Sequence, residues 1–165
     1  VEIKTKKENV DYRKLIAAGS CFAEGEEVID YGFVERWILG LEEKYGVEVM
    51  QVGYDRYNAI STVQKLEANS MECVEVKQHS SVLHPPTKLL REAILKKEFA
   101  YDENRLLEIN FQNARCTEDT NLNKYVNKKR SAGKVDMVVS IIIAVYLMQQ
   151  AMLDNSELDW GIQVI

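Results

Sequence analysis

The chain has 165 residues, a formal net charge of −5 and 46% hydrophobic residues. That length and apolar content suit one globular domain and exclude a disordered chain. Eight glycines and two prolines are too few for a collagen-like or low-complexity sequence. The negative balance excludes a generally basic nucleic-acid coat protein, although it leaves room for a local basic patch.

The predicted elements alternate between helix and strand as far as residue 97. In chain order they are a short helix over 11–18, a helix over 30–45, a strand over 47–54, a helix over 58–69, a strand over 73–76 and a helix over 85–97. Asp30 is the expected N-cap of the helix over 30–45, and Gly46 follows its end. The inward face of that helix is expected to carry Val34, Trp37, Ile38, Leu41 and Tyr45. This order of elements predicts an α/β layer fold with parallel strands.

Two prolines, Pro85 and Pro86, are expected to open the helix over 85–97. Its predicted inward residues are Leu89, Leu90, Ala93 and Ile94. His79 and His84 lie just before this predicted helix start, and neither has a second candidate metal ligand at helical spacing. We therefore expect two loop histidines that could contact phosphate but do not bind a metal.

The pattern changes after Phe99. A short helix is predicted over 106–113, a polar hairpin over 114–130 and a long helix over 135–153. The continuous apolar part of the long helix has about twelve residues, fewer than the roughly 20 that span a bilayer. We therefore expect a core helix, or one whose covering partner is missing, and no membrane partner.

The three cysteines, Cys21, Cys73 and Cys116, are far apart in sequence. An odd number without a C-x-x-C pair argues against a disulfide framework and a zinc module, so we expect reduced thiols in an intracellular protein. Segment 1–10 is charged and has no apolar core of the kind found in a signal peptide. The sequence also has no phosphate-binding loop of the G-x-x-x-x-G-K-[ST] type and no G-x-S-x-G motif.

Two carboxylates stand out by position. Asp55 follows the predicted strand over 47–54, and ligands of α/β sheets bind at the carboxyl ends of strands. Asp136 begins the long apolar helix. Two or three carboxylates that converge need a cation between them, as in two-metal phosphodiesterase sites. The alternatives are that Asp55 caps the next helix and that Asp136 complements a helix dipole.

A basic run lies directly before Asp136. Between residues 120 and 135 the chain has five basic residues and no acids. The five are Lys124, Lys128, Lys129, Arg130 and Lys134. Such a hairpin beside a carboxylate site suits a polyanion, whereas the alternative is a solvated loop without a partner.

Three blocks of the sequence resemble the C-terminal nuclease domain of tailed-phage terminase large subunits. The blocks are YDRYNA at 54–59, Gln78 with PPTK at 85–88, and KVD at 134–136 followed by VVSII at 138–142. VIDY at 28–31 fits the same pattern, and the resemblance extends over about residues 10–150. No single block is specific, but the order and spacing of all three agree with the family.

The resemblance implies an RNase H-like mixed sheet flanked by helices, with its first strands missing. The implied organisation is a lead-in over 1–27, a partial nuclease domain over 28–153 and a tail over 154–165. Asp55 and Asp136 would ligate two Mg²⁺ or Mn²⁺ ions in the complete domain, and Lys88 would join the basic hairpin in holding the DNA backbone. Nothing before Asp55 matches the family's first acid, so we expect no third metal acid in this chain.

The implied activity is a divalent-metal endonuclease that cleaves concatemeric double-stranded viral DNA. The resemblance also implies the portal and the small terminase subunit as partners of the parent protein, an ATPase motor domain upstream, and the cytoplasm of an infected or lysogenic bacterium as its location. Two alternatives are a non-catalytic DNA- or portal-docking remnant in a prophage, and another RNase H-like nuclease of the resolvase or transposase type. Missing strands would leave an apolar edge unpaired, so we expect the chain to self-associate or to be poorly stable.

Overall fold

A computed structural model describes residues 1–25, 28–57, 59–154 and 163–164. The chain divides into a small unit, Glu24–Lys77, and a large unit, Val1–Ala23 with Gln78–Ile165. In chain order the elements are α1 Glu2–Glu8, α2 Tyr12–Ala17, α3 Tyr31–Leu39, α4 Leu41–Tyr45, β1 Val52–Tyr54, α5 Ile60–Ala68, β2 Cys73–Glu75, α6 Ser80–Lys96, β3 Ala100–Tyr101, α7 Arg105–Asn113, β4 Cys116–Glu118, β5 Lys124–Val126, α8 Asp136–Asp154 and β6 Gln163–Val164. The architecture is mixed α/β, with three two-stranded sheets among the described residues.

The small unit is built on a strand–helix–strand crossover. β1 and β2 pair in parallel, with Val52 opposite Cys73 and Tyr54 opposite Glu75, and α5 connects them. This confirms the predicted parallel strands. The predicted strand over 47–54 was too long, because a ladder extends only as far as its partner and β2 offers three residues.

The predicted helix over 30–45 is two helices. Asp30 caps α3 by accepting a hydrogen bond from the backbone N–H of Gly32 at 2.9 Å, as its position predicted. Gly40, the C-cap of α3, has φ −89° and ψ 0°, and α4 follows directly. Gly46 is the C-cap of α4, and its φ of 66° is the left-handed conformation that glycine adopts without a steric cost.

The predicted inward face of the helix over 30–45 is only partly buried, since Ile38 and Leu41 are half-buried and its other three members are exposed. Val34 and Trp37 are 37% and 39% exposed, whereas Glu35 is buried. Glu35 Oε2 lies 2.9 Å from Lys65 Nζ, and Glu35 Oε1 accepts a hydrogen bond from the Thr62 hydroxyl at 3.2 Å. α5 therefore offers α3 a cation and a hydroxyl, and a carboxylate packs there in place of an apolar side chain.

The large unit centres on α6 and α8. α6 begins at Ser80, five residues before Pro85, and His79 caps it by accepting a hydrogen bond from the Ser81 N–H. The prediction that the prolines open this helix was wrong, since both lie inside it. Each removes one backbone donor, and burial of the Pro86 ring offsets part of that loss. Leu90 and Ala93 are buried as predicted, Leu89 is half-buried and Ile94 is 41% exposed.

α8 confirms the predicted long apolar helix. It buries six residues: Val138, Val139, Ile142, Ile143, Val145 and Leu147. Asn110 of α7 ties down its start, because the Asn110 side-chain oxygen accepts the Met137 N–H at 3.2 Å. By length and composition alone α8 could cross a membrane, but core helices pass the same test. The expectation of no membrane partner stays a prediction.

Two further sheets complete the large unit. β3 pairs in parallel with β6, and β4 pairs antiparallel with β5, with Thr117 opposite Tyr125. The β4–β5 pair confirms the predicted hairpin. All three cysteines are free, as their spacing predicted. The predicted domain limits at 28 and 153 stay a prediction, and most of the expected tail lies outside the described residues.

Candidate functional site

Asp55 lies in the turn that follows β1. Its carboxylate is exposed, and Oδ1 accepts the backbone N–H of Tyr57 at 3.4 Å. α5 has Ala59 at its N-cap and no side-chain cap bond. Asp55 therefore does not cap the next helix, and its second carboxylate oxygen points to no partner among the described hydrogen bonds.

Asp136 is the first residue of α8, and its side chain is 64% exposed. Lys128 Nζ lies 3.5 Å from Asp136 Oδ1, so the predicted basic hairpin and the predicted acid meet. The carboxylate also adds to the field around Tyr12: burial raises the pKa of Tyr12, and the hydrogen bond to Glu8 and the charge of Asp136 raise it further. A carboxylate in this first helical turn interacts favourably with the helix dipole.

The two acids belong to different units, Asp55 to the small one and Asp136 to the large one. Their convergence stays a prediction. Carboxylate oxygens are the ligands that Mg²⁺ and Mn²⁺ prefer. Within the described ranges, however, no group of three or more His, Cys, Asp or Glu side chains could hold a metal ion. The donor chemistry thus fits such an ion, whereas a complete ligand set is not present among those residues.

The basic hairpin is exposed along its cationic residues. Lys124 Nζ lies 3.6 Å from Glu118 across the ladder, while Lys129 and Arg130 donate their backbone N–H groups to Asn127 Oδ1 at 3.0 and 3.3 Å. These backbone bonds leave the two side chains free to face solvent. The other two predicted DNA contacts are also exposed, Lys134 after the hairpin and Lys88 on α6. Lys88 has a weak pair with Glu92 at 3.9 Å.

Two residues of α6 hold this hairpin, and no local motif of the sequence indicates either contact. The Ser80 hydroxyl donates to Asp119 Oδ2 at 2.5 Å, and His84 Nδ1 accepts the backbone N–H of Lys124 at 2.8 Å. His84 therefore lies in a helix, which corrects the predicted loop position. Bonds from Ser80 and Asn123 lower the pKa of Asp119 well below its usual range.

A cavity of about 410 Å³ lies between α6, β5 and α8. Its lining is Gln78, Leu83, Thr87, Tyr125, Val126, Asn127, Lys128, Lys129, Val139 and Ile142. The floor is apolar and the two lysines belong to the basic hairpin. The Thr87 hydroxyl is buried and has no hydrogen-bond partner within the described part of the chain.

Comparison with known proteins bears on the family and the fold of the chain. The protein-family model for the endonuclease domain of the terminase large subunit matches residues 2–152. The chain is similar in fold to the large terminase of bacteriophage HK97, with a TM-score of 0.79 and 20% sequence identity over 88% of this chain and 30% of that one. The chain thus spans less than a third of that solved protein. No curated protein matches it. Because the family model spans nearly all of the chain, the chain belongs to the terminase large subunit endonuclease domain family.

Proposed function

We propose that this chain is the nuclease part of a phage DNA-packaging terminase and acts on double-stranded viral DNA. The observation that carries the proposal is the contact between Lys128 and Asp136. It joins an exposed carboxylate at a helix start to a hairpin whose lysines and arginine suit DNA phosphates. The fold likeness to the HK97 large terminase supports an RNase H-like arrangement.

The proposed ligands of a divalent cation are Asp55 and Asp136. Mg²⁺ or Mn²⁺ would supply an activated water and charge stabilisation for phosphodiester hydrolysis. Asp136 is accessible for this role, since its only described ion pair is to a half-exposed lysine. The described residues contain no group of three or more side chains that could hold a metal ion, so in this proposal the remaining ligands are oxygens of DNA and water.

The hairpin residues bind DNA without reading its sequence in this proposal. Lys124, Lys128, Lys129 and Arg130 each carry an exposed positive charge on one short segment. Contacts of this kind neutralise phosphates and release counterions, so they fix position and leave base identity unread. The same proposal includes the portal and the small terminase subunit as partners of the parent protein, and the cytoplasm of the infected or lysogenic host as its location. These remain proposals, since the chain spans only 30% of the HK97 large terminase.

The test is a plasmid-nicking assay with Mn²⁺ on the 165-residue chain, beside Asp55→Ala and Asp136→Ala. Each substitution removes one proposed metal ligand, so we expect each to lower nicking at least about 100-fold. A matched control is Asp11→Ala, which removes a helix cap and no proposed ligand. Intact cleavage by either Asp55→Ala or Asp136→Ala would remove that residue from the site.

A second function, DNA or portal docking without cleavage, is favoured by one observation. The described residues contain no cluster of three ligands that could hold a metal ion. The same assay separates the two functions, because a docking module binds duplex DNA in a salt-dependent way and leaves the plasmid uncut.

A further inference from the structure

The antiparallel ladder of the hairpin leaves the backbone groups of alternate β5 residues, Lys124 among them, without a partner in β4. Asp119 N–H donates to Asn123 O and Asn127 N–H donates to Arg115 O, which fixes the alternation of bonded pairs. The Glu118–Lys124 pair therefore belongs to the other kind, whose N–H and C=O groups point away from the partner strand. Lys124 N–H must find an acceptor outside the hairpin or be left to solvent.

His84 of α6 supplies that acceptor. Its Nδ1 lies 2.8 Å from Lys124 N and 3.2 Å from Lys124 O. Nδ1 accepts this N–H in the tautomer that carries the ring proton on Nε2. The contact joins residues 40 positions apart, so it docks the strand onto the helix and plays no part in local turn formation.

Ser80, one helical turn earlier on α6, holds the tip of the same hairpin. Its hydroxyl bonds to Asp119 Oδ2 at 2.5 Å, and Asp119 Oδ1 in turn accepts the N–H groups of Asn121 and Asn123 at 2.8 and 2.9 Å. One carboxylate thus shapes the turn and receives the helix. With His84, the helix holds the hairpin at two points, at its tip and at the first residue of β5.

We infer that Ser80 and His84 are positioning residues, which hold the hairpin so that Lys128 and Lys129 face the same DNA backbone as Asp136. This inference rests on the proposed function for its DNA partner. Val126 is buried two residues beyond Lys124, so the strand cannot slide along α6 without exposing it. A hairpin freed from the helix would keep its charge and lose the fixed placement of that charge beside Asp136.

The test uses the full chain with His84→Leu, His84→Asn and Ser80→Ala. Leucine removes the acceptor, whereas the asparagine side-chain oxygen occupies the place of Nδ1 and can accept the same bond. Hydrogen exchange read by NMR at the Lys124 amide reports docking of the hairpin, without DNA. Fluorescence anisotropy with a duplex of random sequence over a series of salt concentrations reports the DNA contact.

We expect the Lys124 amide to exchange about tenfold faster in His84→Leu and near the wild-type rate in His84→Asn. DNA affinity should fall about fivefold in His84→Leu and in Ser80→Ala, with a shallower salt slope, and recover in His84→Asn. A merely structural role would lower the thermal stability of His84→Leu and leave its DNA affinity and salt slope unchanged.

Unchanged exchange at Lys124 in His84→Leu would overturn the inference even if wild-type DNA binding were strong. Faster exchange with unchanged affinity and slope would also overturn it, since the hairpin would then be docked for another purpose. If the wild-type chain shows no salt-dependent DNA binding, the proposed function fails, and with it the role of Ser80 and His84 in DNA binding. The exchange rate at Lys124 would still show whether His84 docks the hairpin onto α6.

Discussion

Each unit of the molecule contains a lysine–carboxylate pair, and the two pairs have opposite surroundings. In the small unit, Lys65 reaches a carboxylate of Glu35 that is buried against α5. In the large unit, Lys128 and Asp136 are 52% and 64% exposed. Lys65 is 58% exposed, so the difference lies in the carboxylates: Glu35, at 9% exposure, has little access to water if it loses its cation, whereas an exposed pair can exchange partners at little cost. The first pair therefore joins two helices, and the second is open to a metal ion or a phosphate.

The largest expected effect is on the affinity of the basic hairpin for DNA. Lys128→Glu together with Lys129→Glu should lower affinity for duplex DNA about 100-fold at moderate salt, because two phosphate contacts become two repulsions. The magnitude of the salt slope should fall by about 2. Equilibrium anisotropy measures both.

The matched control lies in the small unit. Lys44→Glu changes an exposed lysine that is preceded by Glu42 and Glu43, where a phosphate is already disfavoured. We expect little change in affinity. The control carries half the charge change of the hairpin variant, so a loss of about tenfold in Lys44→Glu would show that net charge, and not the hairpin, governs binding.

A smaller effect concerns the Lys65–Glu35 pair, whose carboxylate is buried. Lys65→Met should lower the free energy of unfolding by about 1–3 kcal/mol, because the Glu35 carboxylate keeps only its bond to Thr62. Lys128→Met should cost about 0–1 kcal/mol, as for other exposed pairs. Urea unfolding followed by tryptophan fluorescence compares them. Equal losses in the two variants would remove the distinction drawn between the units.

The features that the sequence predicted correctly are those set by a few neighbouring residues. Asp30 caps α3 from two positions away, and Gly46 follows α4 in its own left-handed backbone conformation. The alternation of strand and helix likewise follows from local apolar spacing. The candidate site residues were proposed because acids and bases stand out at element ends and the family resemblance placed them in order, and their role stays a prediction.

The misplaced features depend on partners far along the chain. The burial of Glu35 follows from Lys65, 30 positions away, and the role of His84 follows from Lys124, 40 positions away. Helical spacing identifies an apolar stripe but not the element that packs on it, so the outward position of Trp37 could not be predicted. The start of α6 was missed because the His79 cap is an uncommon one, and proline at 85 suggested a helix start.

The smallest expected effect is the pH dependence of the hairpin tip. Hydrogen bonds from Ser80 and Asn123 lower the pKa of Asp119, so the folded hairpin releases this proton more readily than the unfolded chain does. Its stabilisation is fully present above the ordinary Asp pKa of about 3.9 and is lost as the pH falls through the lower folded pKa. Amide chemical shifts of Asn121 and Asn123, followed by NMR from neutral to acid pH, should show this titration below the ordinary value and lose it in Asp119→Asn. A midpoint at or above the ordinary value would mean that this carboxylate does not hold the tip. The large unit would then offer no firmly bonded carboxylate to compare with the exposed Lys128–Asp136 pair.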